Sequence, residues 1–280
     1  MSALKPLEVG AMFWPWFDPA RTLAELKKVG VSCGQLGMAG QHELGSEAAA
    51  AWKQALAGED FHLATVFAAY DGEDYADIPT VVKTVGFVPR ATRSGRLART
   101  FALSDFAAEL GAPGIACHIG FVPEESGTAD YIAVRHMVTQ VCDHAARHGQ
   151  YFALETGQEP AHVLLSFIKD VDRPNLKINF DPANMILYGT GDPIDALGVL
   201  APHVVTVHAK DGDWPPKGVP GALGTERPLG QGAVGMERFV AKLKEVGYQG
   251  PLCVEREVEN LDTRLADMKM GVELLRGLIG

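Results

Sequence analysis

The fold that this sequence predicts is a single-domain (β/α)8 barrel, and three observations carry the prediction. Short apolar runs alternate with longer amphipathic segments from end to end, which is the pattern of βα units on a parallel sheet. Eight such units can be counted in the 280 residues, a usual length for one α/β barrel. Residues with metal-ligand chemistry stand at the ends of four of the runs: Glu155 after YFAL, Asp181 after KINF, His208 after VVTV and Glu255 after LCV. Side chains so far apart in the chain meet only if those runs are parallel strands whose carboxyl ends share one face.

The elements follow in order. LEVGAMF (residues 7 to 13) is the first strand, and ARTLAELKKVG, with apolar residues at three- and four-residue steps, is a helix stopped by Gly30. CGQLGM (33 to 38) and HLATVFAAY (62 to 70) are the next two strands. A long connection, DGEDYADIPTVVKTVGFVPRATRSGR, then precedes a clear helix. GIACHIG (114 to 120) is the fourth strand, and ADYIAVRHMVTQVCDHAARHG is a helix stopped by Gly149. YFALE (151 to 155), LKINFD (176 to 181) and VVTVHA (204 to 209) are strands five to seven. The second long connection, DGDWPPKGVPGALGTERPLGQGAVG, leads into the helix GMERFVAKLKEVGY, which Gly247 stops. PLCVEREV (251 to 258) is the eighth strand and LDTRLADMKMGVELLRGLIG the closing helix. Glu155 and Asp181 are 26 residues apart and Asp181 and His208 are 27 apart, room for one crossover each. The 47 residues from His208 to Glu255 need the long loop as well. Both long connections follow a strand's carboxyl end, where ordered loops act as lids.

Composition bounds the function. A hydrophobic fraction of 47% with 21% charged residues suits a globular protein with a substantial core. The formal net charge of −10 opposes binding to a phosphate backbone, so nucleic acid is not an expected partner, although a local basic pocket remains compatible with one sugar phosphate. Cys33, Cys117, Cys142 and Cys253 form no CxxC pair and are expected as buried free thiols. The opening MSALKPLEVGAMFWPWF has no basic region followed by a long apolar stretch, and no segment reaches bilayer-spanning length. A soluble, cytoplasmic protein of one domain, residues 1 to 280, is therefore expected.

Singly, each ligand candidate is weak, because an Asp after a strand often caps the next helix, as FDPAN at Asp181 suggests, and a strand-end His is often a core side chain. Jointly, three carboxylates and one imidazole at strand ends are hard to explain as four unrelated caps. Oxygen-rich ligation with one nitrogen favours Mn²⁺, with Mg²⁺, Co²⁺ and Zn²⁺ as alternatives.

The runs LETGQE (154 to 159), NFDPANM (179 to 185), VHAKD (207 to 211), PLGQG (228 to 232) and YQGPLCVERE (248 to 257) resemble the sugar phosphate isomerase/epimerase family of xylose isomerase-like TIM barrels. The resemblance covers most of the chain and is strongest from about residue 110 onward. It implies that Glu155, Asp181, His208 and Glu255 bind one divalent metal. Two departures stand out: ketose 3-epimerases have a His three residues after the metal-binding Asp, where this chain has Asn184, and Gln231 stands where an acidic residue is more frequent.

A metal held by carboxylates can bind an α-hydroxycarbonyl and stabilise an enediolate, so that a nearby carboxylate suffices as base. Glu155 and Glu255, from strands five and eight, would lie nearly across the barrel and address opposite faces of a planar intermediate, as epimerisation requires. His118 and Lys210 are candidates for binding sugar hydroxyls or a phosphate, and Glu159 and Asn184 for orienting substrate. Phe13, Trp14 and Trp16 are candidates for an apolar wall against a sugar face, whereas Arg90, Arg93 and Arg96 read as a solvated helix entrance. The leading expectation is a metal-dependent isomerase or epimerase of a ketose or sugar phosphate, and homodimers or higher homo-oligomers are compatible with it. The rival is a lyase or hydrolase of a 3-keto sugar derivative on the same metal. An apurinic endonuclease is disfavoured by the acidic charge and the few strand-end histidines, and a sugar-binding barrel without turnover by the presence of both glutamates.

Overall fold

The computed structural model describes residues 7–280. The opening segment read above for a leader lies partly outside these residues. The strands are β1 (Val9–Phe13), β2 (Cys33–Met38), β3 (His62–Ala68), β4 (Gly114–Cys117), β5 (Tyr151–Glu155), β6 (Leu176–Phe180), β7 (Val204–Ala209), β8 (Asp211–Asp213), β9 (Thr225–Arg227) and β10 (Leu252–Val254). The helices are α1 (Pro19–Val29), α2 (Ser46–Gly58), α3 (Ile78–Thr84), α4 (Arg93–Leu110), α5 (Ala129–Ala146), α6 (Ala161–Val171), α7 (Pro182–Tyr188), α8 (Pro193–Leu200), α9 (Met236–Glu245) and α10 (Leu261–Ile279).

Strands β1 to β7 pair in sequence order, and β10 closes the barrel between β7 and β1, every pair parallel. Each of the eight predicted runs holds one barrel strand. Several end earlier than expected: β3 stops at Ala68, β4 before His118, β6 before Asp181 and β10 before Glu255. A strand is bounded by the length over which its neighbours supply ladder partners, and β10 pairs with β7 only from Leu252 to Val254. The apolar run in the sequence continues past that point into loops.

Side chains alternate across each strand. Ala11 and Phe13, Leu36 and Met38, Val66 and Ala68, Phe152 and Leu154, Ile178 and Phe180, Val207 and Ala209, and Leu252 and Val254 belong to the main core beneath the helices. The opposite phase faces the barrel interior, where Met12, Phe67, Ala116 and Ala153 form a second cluster. Gln35, Asn179 and Thr206 share that phase: Gln35 Nε2 donates to Asn179 Oδ1 at 3.0 Å and Thr206 Oγ1 donates to the same oxygen at 2.6 Å. Phe13 therefore does not face a sugar. It packs edge-on against Phe61 at 5.6 Å and near Trp52, because its parity points it outward.

Three glycines end helices as predicted. At Gly30, Gly149 and Gly247, with φ of 100°, 69° and 72°, the chain turns left-handed. The following N–H in each case bonds five residues back, as Tyr248 N does to Leu243 O at 3.0 Å. The first long connection contains α3, which was not anticipated, and the second contains the antiparallel ribbon of β8 and β9. The two meet where Ile78 N donates to Gly221 O at 2.9 Å. Arg90 is solvated, but Arg96 is not: it is 4% exposed and donates to the carbonyls of Gly86 and Asp71. Loop carbonyls without ladder partners draw that guanidinium inward. The four cysteines are buried and unbridged. Among the described residues no helix is long and apolar enough to cross a membrane.

Candidate metal centre

Parity brings the four ligand candidates together. Glu155, Asp181, His208 and Glu255 all continue the interior phase of their strands, in step with Ala153, Asn179, Thr206 and Cys253. One ligand atom from each lies within 4.8 Å of the others. His208 Nδ1 is 2.6 Å from Glu155 Oε1 and 3.0 Å from Glu255 Oε2. His118 Nε2 is 2.6 Å from Glu155 Oε2. Lys210 Nζ is 2.8 Å from Glu257 Oε2 and 3.5 Å from Glu255 Oε2.

The electrostatics follow from burying so many carboxylates. Burial raises the Glu155 carboxyl, but His118 and His208 outweigh it and hold the group well below the ordinary carboxylate range. Burial likewise raises Glu255, and His208 with Lys210 brings it down to about 2. Asp181 is pushed well above its ordinary value, first by burial and further by Glu155 and Glu255, with Lys210 opposing. His208 is lowered by burial and raised more strongly by Glu255 and Glu155, so that it holds a proton tightly.

A divalent cation fits this donor set. Asp181 Oδ2 and His208 Nε2 are buried without a hydrogen-bond partner among the described residues, and such atoms are costly unless an ion or a polar ligand satisfies them. Asp181 serves two ends: Oδ1 accepts from Asn184 N at 3.0 Å and caps α7, which leaves Oδ2 free. Cap and ligand are thus not exclusive readings.

Above the cluster opens a cavity of about 290 Å³. Trp14, Phe67, Tyr75, Leu187, Tyr188 and Leu223 supply its apolar walls, and His118, Glu155, Asn184, Lys210, Glu226, Glu255 and Glu257 its polar ones. His118, Asn184 and Lys210 therefore all line this cavity. Glu159 does not line the cavity; its Oε1 accepts from Val122 N at 2.7 Å and braces the loop after β4. Trp16 packs against the main core instead. Tyr75, Leu223 and Glu226 were not singled out from sequence, although the two long connections that carry them were placed on this face. Nothing local distinguishes them from neighbouring loop residues. Tyr188 and Leu187 come from α7, a helix too short to show periodicity.

A sequence profile of the xylose isomerase-like TIM barrel family matches residues 23–278. The chain belongs to that family. A crystal structure of a xylose isomerase domain protein from Planctomyces limnophilus is 43% identical, with a TM-score of 0.93 over 98% of this chain and 97% of that one. Two more distant structures share the family fold. A xylose isomerase-like TIM barrel protein from Mycobacterium smegmatis in complex with magnesium is 17% identical, with a TM-score of 0.67 over 99% of this chain and 98% of that one. A D-psicose 3-epimerase crystallised in the presence of D-fructose is 14% identical, with a TM-score of 0.69 over 98% and 100%. Among curated proteins, the uncharacterized YihM of Escherichia coli is 34% identical over 37% of this chain and 31% of its own length. The uncharacterized MJ1311 of Methanocaldococcus jannaschii is 26% identical over 53% of this chain and 52% of its own length. The matches thus span about a third and about half of those two relatives.

Proposed function

We propose that this protein is a divalent-metal-dependent sugar isomerase or epimerase in which Glu155 and Glu255 transfer the proton. The observation that carries the reading is the convergence of these two carboxylates on His208, beside the further donor Asp181 and beneath a cavity with aromatic walls. Glu155, Asp181, His208 and Glu255 would hold the ion, and three oxygens with one nitrogen favour Mn²⁺. When bound, the ion supplies positive charge against the negative charge that develops on the two oxygens of an α-hydroxycarbonyl. The D-psicose 3-epimerase of the same fold supports the substrate class.

The chain's own groups carry the rest. Both glutamates are held ionised, so either can accept the proton from the carbon between the two oxygens. Their strands stand three positions apart around the eight-stranded barrel. One glutamate removes the proton and becomes the carboxylic acid. The other, a carboxylate at the start, takes a proton from an adjacent donor, His208 or Lys210 beside Glu255 and His118 or His208 beside Glu155, and passes it to the opposite side. Exchange with solvent resets both. His118, hydrogen-bonded to Glu155, orients that carboxylate, and Lys210 offers an ammonium to a sugar hydroxyl. Aromatic rings along the cavity exclude water and face the apolar side of the sugar.

Glu155→Gln and Glu255→Gln should each reduce turnover by on the order of 10²- to 10⁴-fold, measured by steady-state kinetics and by exchange of the substrate's carbon-bound hydrogen with D₂O. Retained activity in both single variants would refute the assignment. Mass-neutral interconversion supports isomerisation or epimerisation, whereas release of an aglycone from a 3-keto glycoside moves the same proton transfer to elimination.

A further inference from the structure

Phosphate sites in α/β barrels are frequently built from the loops after the seventh and eighth strands and a following helix N-terminus, where backbone N–H groups converge on an anion. Here the corresponding connection runs from β8 to α9, and it does form such a nest. Gly212 and Val234 donate to Asp211 Oδ1 at 2.9 and 3.1 Å, and Gly230 and Gly232 donate to Asp211 Oδ2 at 2.9 and 3.0 Å. Asp211 is 1% exposed. The fit is close, since a Cβ on Gly232 would lie 2.3 Å from Asp211 Oδ1. A carboxylate of the chain itself thus takes all four N–H groups that a phosphate would need.

The cavity's charges point the same way. Four carboxylates line it, Glu155, Glu226, Glu255 and Glu257, against one ammonium, Lys210, and one imidazole, His118, which is itself paired with Glu155 at 2.6 Å. That ammonium is held by Glu257 at 2.8 Å. Arg256, next in the chain to Glu255, is spent on Glu226 at 2.7 Å and Asp267 at 2.8 Å. A divalent ion offsets two of the negative charges and leaves none of the surplus cation that recognition of a phosphate requires.

We propose that this cavity selects an unphosphorylated, uncharged sugar through the charges of its lining, and that Asp211, which with its four N–H donors stands outside that lining, keeps the glycine loop before α9 from serving as an anion site. The proposal rests on the sugar-enzyme reading above and narrows it. The sugar's recognition then comes from hydroxyl contacts to Lys210, His118 and Asn184 and from stacking on the aromatic wall.

The test is calorimetric titration of the Mn²⁺-loaded protein, at physiological ionic strength, with D-fructose, its 1- and 6-phosphates, and inorganic phosphate. Neutral ketose should bind at least about tenfold tighter than either phosphate ester, and inorganic phosphate should not bind. Equal or tighter binding of a phosphate ester overturns the proposal and leaves the sugar-enzyme reading standing. Binding of no sugar at all overturns that reading and the inference with it. Asp211→Ser, checked for native circular dichroism, should gain binding of inorganic phosphate; a folded variant without that gain refutes the part assigned to Asp211. The wild-type series decides the substrate class even if the variant does not fold.

Discussion

The Glu159 carboxyl is 5% exposed and holds the loop after β4 through Val122 N. Burial pushes it from 4.5 to about 7, against the help that the Val122 N–H gives the ionised form. A carboxyl raised in this way keeps its proton in the native state when the unfolded chain has lost it. Its contribution to stability is therefore complete below about 4.5 and is lost as pH rises through about 7. Between pH 5 and pH 8 the wild type should lose on the order of 1–3 kcal/mol relative to Glu159→Gln. Denaturant melts of both proteins at the two pH values measure this, and parallel pH profiles would exclude it. Asp181 gives a second test at this scale. Asp181→Asn keeps an oxygen to cap α7 but loses a charged metal donor, so Mn²⁺ affinity should fall by on the order of 10- to 100-fold or more while the fold persists. Titration calorimetry with a circular dichroism control separates the two effects. The ligand types and the cap at Asp181 were both legible in FDPAN. That one oxygen caps and the other stays free was not, because it depends on a side-chain rotation.

At the scale of elements, the barrel owes its closure to strands that approach closely. A Cβ on Gly34 in β2 would lie 2.2 Å from Ala11 O of β1, and the β2–β3 register shifts at Gly34 and Gln35. Gly34→Ala should destabilise by about 1–3 kcal/mol through forced backbone shifts, read as a lower urea midpoint with an unchanged m-value. All eight strand positions were legible because hydrophobic runs and the turn glycines that bound them are local signals. Ladder ends were not, since β10 can be only as long as β7 allows. Helix α3 and the β8–β9 ribbon were hidden for a related reason. Helix α3 is only seven residues long and the segment between β8 and β9 is rich in Pro and Gly, and both hold shape by contacts between the two long connections, such as Ile78 N to Gly221 O.

For the whole molecule, the buried carboxylates couple ion binding to stability. A cation that binds only the folded state should stabilise it by about 2.7 kcal/mol at a hundredfold excess over Kd. Chelation should lower the Tm and abolish turnover, and added Mn²⁺ should restore both, as scanning calorimetry and activity assays would record. A Tm indifferent to chelator and to Mn²⁺ would argue against the four-ligand centre. The sequence by itself determined the barrel, the placing of Glu155, Asp181, His208 and Glu255 at the carboxyl ends of strands that share one face, and the donor chemistry of that set. Periodicity and residue type are properties of short stretches, so they survive without coordinates. Tertiary structure alone decided that Glu159 faces Val122, that Arg96 is buried, that Tyr75 and Tyr188 wall the cavity and that Asp211 fills the glycine loop. Each of those outcomes rests on desolvation and on contacts between segments far apart in the chain, and a one-dimensional pattern does not record either.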